Sequence, residues 1–338
     1  MDSLERVPAH LRERHQGFWN REATAGPLLS VGRHGEFTDR APIRLASGAL
    51  VAEGQELRPE EIAPEHLAGG HAGCLAPGEF LHGTSPYDLC WTEVLAGCTL
   101  RWRSGQVWAE PCLDAPRALT LAPDDPWLAR LLAITRLQVQ AARGDYPVCQ
   151  PLMRGPVDMA AAALGDEAFC LALVDQPERS RALLASCTEI FIAAARAWRG
   201  AAPLVAGGSC LYGIWAPGSS VRTQCDNAAL LSPALYREFL LPCDERICAS
   251  FDYPLMHTHS GFIRMAAPVL LEVRGLRAVQ VSLDWPAGPG VAELLPVFRQ
   301  LNDHLPLIIT GALERAELDL LLAKLQPAGL CLQVNIHP

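Results

Sequence analysis

The chain of 338 residues carries twelve cysteines but no Cys-x-x-Cys pair. That absence excludes a zinc ribbon and a thioredoxin-like motif, and the scattered cysteines read as thiols, most of them small buried hydrophobes. No apolar run reaches the length of a membrane span, so no membrane role is expected. The opening residues Met1-Asp2-Ser3-Leu4-Glu5-Arg6 lack the apolar core of a signal peptide, and the expected location is cytoplasmic. Positive charge is in deficit: 28 Lys and Arg against 37 Asp and Glu give a net charge of −9. This argues against a surface that tracks nucleic-acid phosphates. No Gly-x-Gly-x-x-Gly follows the first apolar run, Pro27 to Gly32, which argues against dinucleotide binding.

What is present is a regular alternation. Pro27 to Gly32 reads as a buried strand, and residues 36–75 as an irregular excursion with a short helix at Pro59 to Leu67. Thr99 to Glu110 reads as a hairpin turning at Ser104-Gly105. Helix Pro126 to Gly144 precedes strand Tyr146 to Pro151, and helix Pro177 to Arg199 precedes strand Ala202 to Gly207. Helix Pro233 to Ser250 leads to strand Pro254 to His259, and three more helix–strand units end at Gly329 to Ile336. Strands alternating with helices imply parallel βαβ units. About eight strands fit, which predicts a single-domain (β/α)₈ TIM barrel of the α/β class over residues 1–338.

In such a barrel the site gathers at the C-terminal strand ends. His257 and His259 share one face of their strand and run into Ser260-Gly261, which makes them a candidate half of a metal site. Gln280, Ser282 and Asp284 share a face, and so do Cys331, Gln333, Asn335 and His337. His337 or Cys331 is the expected third ligand, leaving an open position suited to catalytic zinc. Asp284 or Asp226 is placed to orient an imidazole from behind, and Asp226 also suits a helix N-cap. The other strand ends supply Arg33, Asp88, Arg154, Trp215 and Arg222.

From about Pro86 onward the chain resembles the uroporphyrinogen decarboxylase superfamily. The resemblance rests on Asp88 with Gly97 and Thr99-Leu100-Arg101-Trp102, and on Arg154-Gly155-Pro156-Val157-Asp158-Met159-Ala160. It rests also on Asp226 with Leu231-Ser232-Pro233 and Phe239-Leu240-Leu241-Pro242. Two chemistries are implied. In the tetrapyrrole decarboxylases, which need no cofactor, Asp88 would hold the pyrrole nitrogens. Their paired-Arg motif is reduced here to Gly32-Arg33-His34-Gly35, and the Tyr of the Gly-Pro helix is Ala162. In the zinc-dependent methyltransferases, a His-x-Cys-Gly segment occupies the place of His257-Thr258-His259-Ser260-Gly261, and a last-strand Cys falls near Cys331 or His337. That branch implies zinc, a corrinoid protein as methyl donor or acceptor, and a small acceptor molecule. Here Asp88, Gln280 and Asp284 are the candidate catalytic residues, and Arg33, Arg154, Trp215, Arg222 and Asp226 the candidate substrate contacts. The methyltransferase reading is the expectation; a tetrapyrrole decarboxylase and a non-catalytic corrinoid or tetrapyrrole binder are the alternatives.

Overall fold

A computed structural model describes residues 7–22, 26–33, 43–68, 71–73, 79–81 and 83–337. The architecture is mixed α/β, built on a six-stranded parallel sheet. Its strands are β1 (Leu28–Arg33), β2 (Ser220–Gln224), β3 (Tyr253–His259), β4 (Ala278–Leu283), β5 (Leu307–Leu313) and β6 (Leu330–Ile336). The spatial order is β1-β6-β5-β4-β3-β2, so the first strand lies beside the last.

The last three units are the most regular. Helices α5 (Ile263–Leu270), α6 (Val291–Asn302) and α7 (Arg315–Lys324) carry the chain from β3 to β4, β5 and β6. Alternation decides which side chains face them. Val279 and Val281 join the large core with Leu270, Leu294, Phe298 and Leu321. Gln280 turns to the other face and is also buried, so it must be hydrogen-bonded there. Among the described residues, no helix is long and apolar enough to cross a membrane.

A second cluster closes the opposite ends of the strands. Leu28, Leu255, Ala278, Ile308 and Cys331, all near the start of their strands, pack with Phe18 and Trp19 of α1 (Ala9–Asn20). Leu211, Ile214 and Ala216 join them from the hairpin Ser209–Leu211 and Ile214–Ala216. Cys331 is fully buried here.

The hairpin at Thr99–Arg103 and Gln106–Glu110 forms as expected, with positive φ at Ser104 and Gly105 to suit its two-residue turn. Three expectations need correction. Ala202 to Gly207 is not a strand of the sheet: Ala206 and Gly207 adopt positive φ, and the segment makes one bridge, Val205 to Gly208. The sheet strand is Ser220–Gln224 instead. Tyr146 to Pro151 contributes only the parallel bridge of Val148 to Thr84; Pro147 and Pro151 lack the N–H groups that a ladder needs. The helix from Pro233 is not uniform, for a π-helical turn spans Tyr236–Leu240 just before Pro242. Proline removes a helical hydrogen bond and crowds the preceding turn, and a π-turn accommodates both effects.

Helix α3 (Pro156–Leu164) is held close to β2. Gly155 donates its N–H to the carbonyl of Gln224 at 3.1 Å. A Cβ at Gly155 would lie 2.2 Å from that same oxygen, so the position tolerates only glycine without movement. Gly155→Ala is expected to destabilise the protein by about 1–3 kcal/mol through overpacking. The measurement is the urea midpoint, and an unchanged midpoint would contradict the account.

Candidate metal centre

The pairing register brings the site together. His257 of β3 lies beside Gln224 of β2 and Gln280 of β4, while His259 lies beside Ser282. Asp284 and Asp226 follow the ends of β4 and β2. The side chains therefore meet at the C-terminal ends of three adjacent parallel strands.

The protonation of each ring follows from its partners. Arg222 can only donate, and its Nε donates to the Tyr212 hydroxyl at 2.8 Å. The Tyr212 proton is thereby directed to Gln280 Oε1, also at 2.8 Å. Gln280 Nε2 donates to Thr310 Oγ1 at 2.7 Å. Gln280 Oε1 therefore remains an acceptor, and it faces His257 Nδ1 in a short hydrogen bond. His257 must carry its proton on Nδ1. His259 Nδ1 lies 2.5 Å from Asp284 Oδ1, and an ionised carboxylate only accepts, so His259 carries its proton there too.

The Nε2 of His257 is thus a bare lone pair, and it faces His259 Nε2 at 3.2 Å. The third group is a carboxylate oxygen, Asp226 Oδ1, 3.8 Å from His259 Nε2. This oxygen is buried without a hydrogen-bond partner, while Oδ2 accepts from Gln224 Nε2 at 2.7 Å. The three ligating atoms lie within 4.8 Å of one another. With the proton of each ring on Nδ1, three lone-pair atoms converge, and they repel one another unless a proton or a metal cation sits between them. Two nitrogens in a tetrahedral zinc shell, with bonds of about 2.0 Å, are separated by about 3.3 Å, so the spacing fits.

Burial first, and then the charge of Arg222, push His257 down to about 2, against an ordinary value of 6.5. The ring stays neutral and its lone pair available. Behind His259, Asp284 Oδ2 accepts from Ser260 Oγ at 3.1 Å and from the Gly261 N–H at 3.0 Å. The Ser-Gly pair that follows the histidines thus fixes the carboxylate that orients one of them. Asp158 of α3 accepts the Asn227 N–H at 2.8 Å and anchors the segment that carries Asp226.

The other expected residues are placed as follows. Gln280 and Asp284 hold the rings from behind. Asp226 stands as the third candidate ligand in place of His337 or Cys331. Cys331 is enclosed in the apolar cluster at the starts of the strands. His337 stacks on Trp285, with ring centroids 4.1 Å apart. Arg154 is held by the buried Glu93, with Nη1 to Oε1 at 2.6 Å. Asp88 accepts the Cys90 N–H at 3.1 Å, beside that ion pair. Trp215 is not brought to the histidines: its indole N–H donates to the Val205 carbonyl at 2.9 Å and its ring packs with Val7 and Ala206. Arg33 ends β1, and its side chain lies outside the described residues, as does His34.

Tyr212, which the sequence did not single out, belongs to this hydrogen-bond network. It occupies the turn of the 209–216 hairpin at φ 52°, a costly conformation for a bulky side chain. Gln333 of β6 donates to its carbonyl at 2.6 Å, which pins the turn inside the sheet. Leu211-Tyr212-Gly213-Ile214 lacks the usual Asn-Gly signal, although a glycine in a two-residue turn was there to be read. Asp226 as a ligand was also readable, since Arg222, Gln224 and Asp226 alternate along β2 and just beyond its end.

No protein-family model matches the sequence, and no curated protein sequence matches it. Among solved structures, a methyltransferase from Methanosarcina mazei is similar, with a TM-score of 0.62 at 18% identity. The match covers 97% of this chain and 94% of that chain. At this identity the similarity establishes a shared α/β fold.

His257 and the buried His15, which is pushed down to about 4 chiefly by burial, set an acid limit to stability. Unfolded histidine titrates near 6.5, so below that pH the unfolded chain binds protons that the folded protein refuses. Metal-free protein is therefore expected to lose stability as pH falls from about 6.5 towards 4. His257→Gln should flatten that decline in urea midpoints; an identical pH slope in the variant would contradict the assignment.

Proposed function

We propose that the chain is a single-domain, zinc-dependent methyltransferase on a closed eight-stranded (β/α)₈ barrel, acting between a corrinoid and a small acceptor. The observation that carries this reading is the convergence of His257 Nε2, His259 Nε2 and the unpartnered Asp226 Oδ1 within 4.8 Å of one another. The shared fold with a methyltransferase supports the reaction class. Barrel closure is supported by three features. The strands that come first and last in the chain, β1 and β6, are paired. The segment Gly83–Ser85 bridges to Val148. The Gln150 side chain makes two 2.7 Å bonds to the backbone of Arg222, next to β2 on its open edge.

The donor set is two imidazoles and one carboxylate, which zinc accepts while retaining an open position. When bound, zinc would supply Lewis acidity that favours an acceptor thiol as thiolate. The residues around it prepare that chemistry. Asp284 and Gln280 fix both rings with Nε2 exposed. Burial, and then the charge of Arg222, keeps His257 unprotonated. His259 and Asp226 are about a third exposed, so one side of the centre is open to an incoming molecule. Without a thiolate ligand this centre is more positive than the His-x-Cys-Gly pattern provides, and the substrate thiolate supplies the balancing charge. Neither the decarboxylase nor the corrinoid-binder alternative makes use of the converging acceptors.

Purified protein reconstituted with zinc is expected to hold one ion per chain by elemental analysis. His257→Ala, His259→Ala and Asp226→Ala should each lose it, and Asp284→Asn should weaken binding by about 10–100-fold. His337→Gln and Cys331→Ser should retain the ion. Zinc retained by His257→Ala, or none held by the wild-type chain, would overturn the site. With methylcobalamin and a small thiol as probes, methyl transfer should follow zinc content across the series. A chain that holds zinc but transfers no methyl group would leave the site standing and remove the reaction.

A further inference from the structure

The strands beside the histidines carry polar side chains that the metal centre does not use. The pairing register sets Ser282 of β4 next to His259, then Thr310 of β5, Gln333 of β6 and Ser30 of β1 at the same height. Paired residues of a parallel sheet point to the same side, so this row shares the face of the two histidines. At the height of His257 the same register gives Ile308, Cys331 and Leu28, all buried in the apolar cluster at the strand starts. Asn335 stands two residues beyond Gln333, on the same face. The result is a half-buried polar wall above an apolar floor, beside the metal centre.

The wall has unused hydrogen-bonding capacity. Thr310 Oγ1 accepts from Gln280 Nε2 at 2.7 Å, which directs its own proton elsewhere. Gln333 gives Nε2 to the Tyr212 carbonyl at 2.6 Å, which leaves its Oε1 as an acceptor. Among the described residues, the side chains of Ser282 and Asn335 make no hydrogen bond. The wall is also neutral: no charged side chain stands on this face of β4, β5, β6 or β1 among the described residues. The nearby guanidinium groups are engaged. Arg222 donates Nε to Tyr212 and its Nη1 is buried, while Arg154 is paired with Glu93.

We propose that this wall selects the acceptor, and that the acceptor is a small uncharged thiol bearing a hydroxyl group. The inference rests on the reading of the centre as one that binds an acceptor thiolate. The thiol gives its proton to solvent and its sulfur meets the metal, while its hydroxyl lies among Ser282, Thr310 and Asn335. An ionised substituent in that place would lose hydration against neutral groups with no counter-ion. A plain alkyl substituent would leave the wall's donors and acceptors unpaired.

The test loads the full-length protein with cobalt(II) in place of zinc and titrates it with 2-mercaptoethanol, ethanethiol, mercaptoacetate and cysteamine. The sulfur-to-cobalt charge-transfer band reports each dissociation constant, corrected for the acidity of each free thiol so that thiolates are compared. 2-Mercaptoethanol is expected to bind tightest, by about tenfold over each of the others, the worth of roughly one hydrogen bond. Ser282→Ala and Asn335→Ala should each hold one metal ion per chain and lose most of the preference over ethanethiol. If mercaptoacetate, cysteamine or ethanethiol binds as tightly as 2-mercaptoethanol, or if the preference survives both substitutions, the inference is overturned while thiolate binding at the metal stands. If no thiol produces the band, the thiolate reading fails and the inference falls with it.

Discussion

The site is governed by one confrontation: two imidazole nitrogens, each on a ring whose other nitrogen is held by a hydrogen bond on the far side, stand 3.2 Å apart. Such an arrangement costs energy in an empty site and becomes favourable around a cation. It is not an accident of one rotamer. On the His257 side it descends from Arg222, which cannot accept, through Tyr212 and Gln280 to the ring. On the His259 side it descends from Asp284, which Ser260 and Gly261 hold by its second oxygen.

These networks explain features of the fold that lie away from the histidines. The 209–216 hairpin does more than fill the apolar end of the sheet. Its turn carries Tyr212 in a costly backbone conformation so that the hydroxyl meets Gln280. Gln333 and the contacts of Leu211 and Ile214 stabilise that turn. Gly155 plays a similar part for Asp226: its bare Cα lets α3 approach β2, and Asp158 then fixes the residue after the ligand. The Gly-Pro helix start that is so conspicuous in the sequence is therefore a support for the carboxylate of the candidate metal centre.

Much of this was legible beforehand, and the reason is periodicity. The helix–strand units from Tyr253 onward are long and apolar on one face, so β3, β4, β5 and β6 follow from the sequence. With them comes the placement of His257, His259, Gln280 and Asp284. The middle of the chain was harder. Pro147 and Pro151 leave one bridge where a strand was expected, and the glycines at 207 and 208 end the Ala202 segment early. The ligand that was misplaced shows the limit of face-counting. Cys331 and His337 do share a face of β6, but one packs at the floor of the sheet and the other stacks on Trp285 beyond its end. A shared face does not give a shared height. Asp226 was visible as a helix start, and the alternation of Arg222, Gln224 and Asp226 that carries it towards His259 was hidden by placing the strand at Ala202 to Gly207.

The central claim is that both rings hold their protons on Nδ1 and offer bare Nε2 atoms to one cation. A long-range proton–nitrogen correlation spectrum of metal-free protein reads this directly. The account predicts the Nδ1–H tautomer for His257 and His259, with both Nε2 resonances moving together on addition of one equivalent of zinc while both Nδ1 protons remain. An Nε2–H tautomer in either ring, or zinc shifting only one of them, would contradict it.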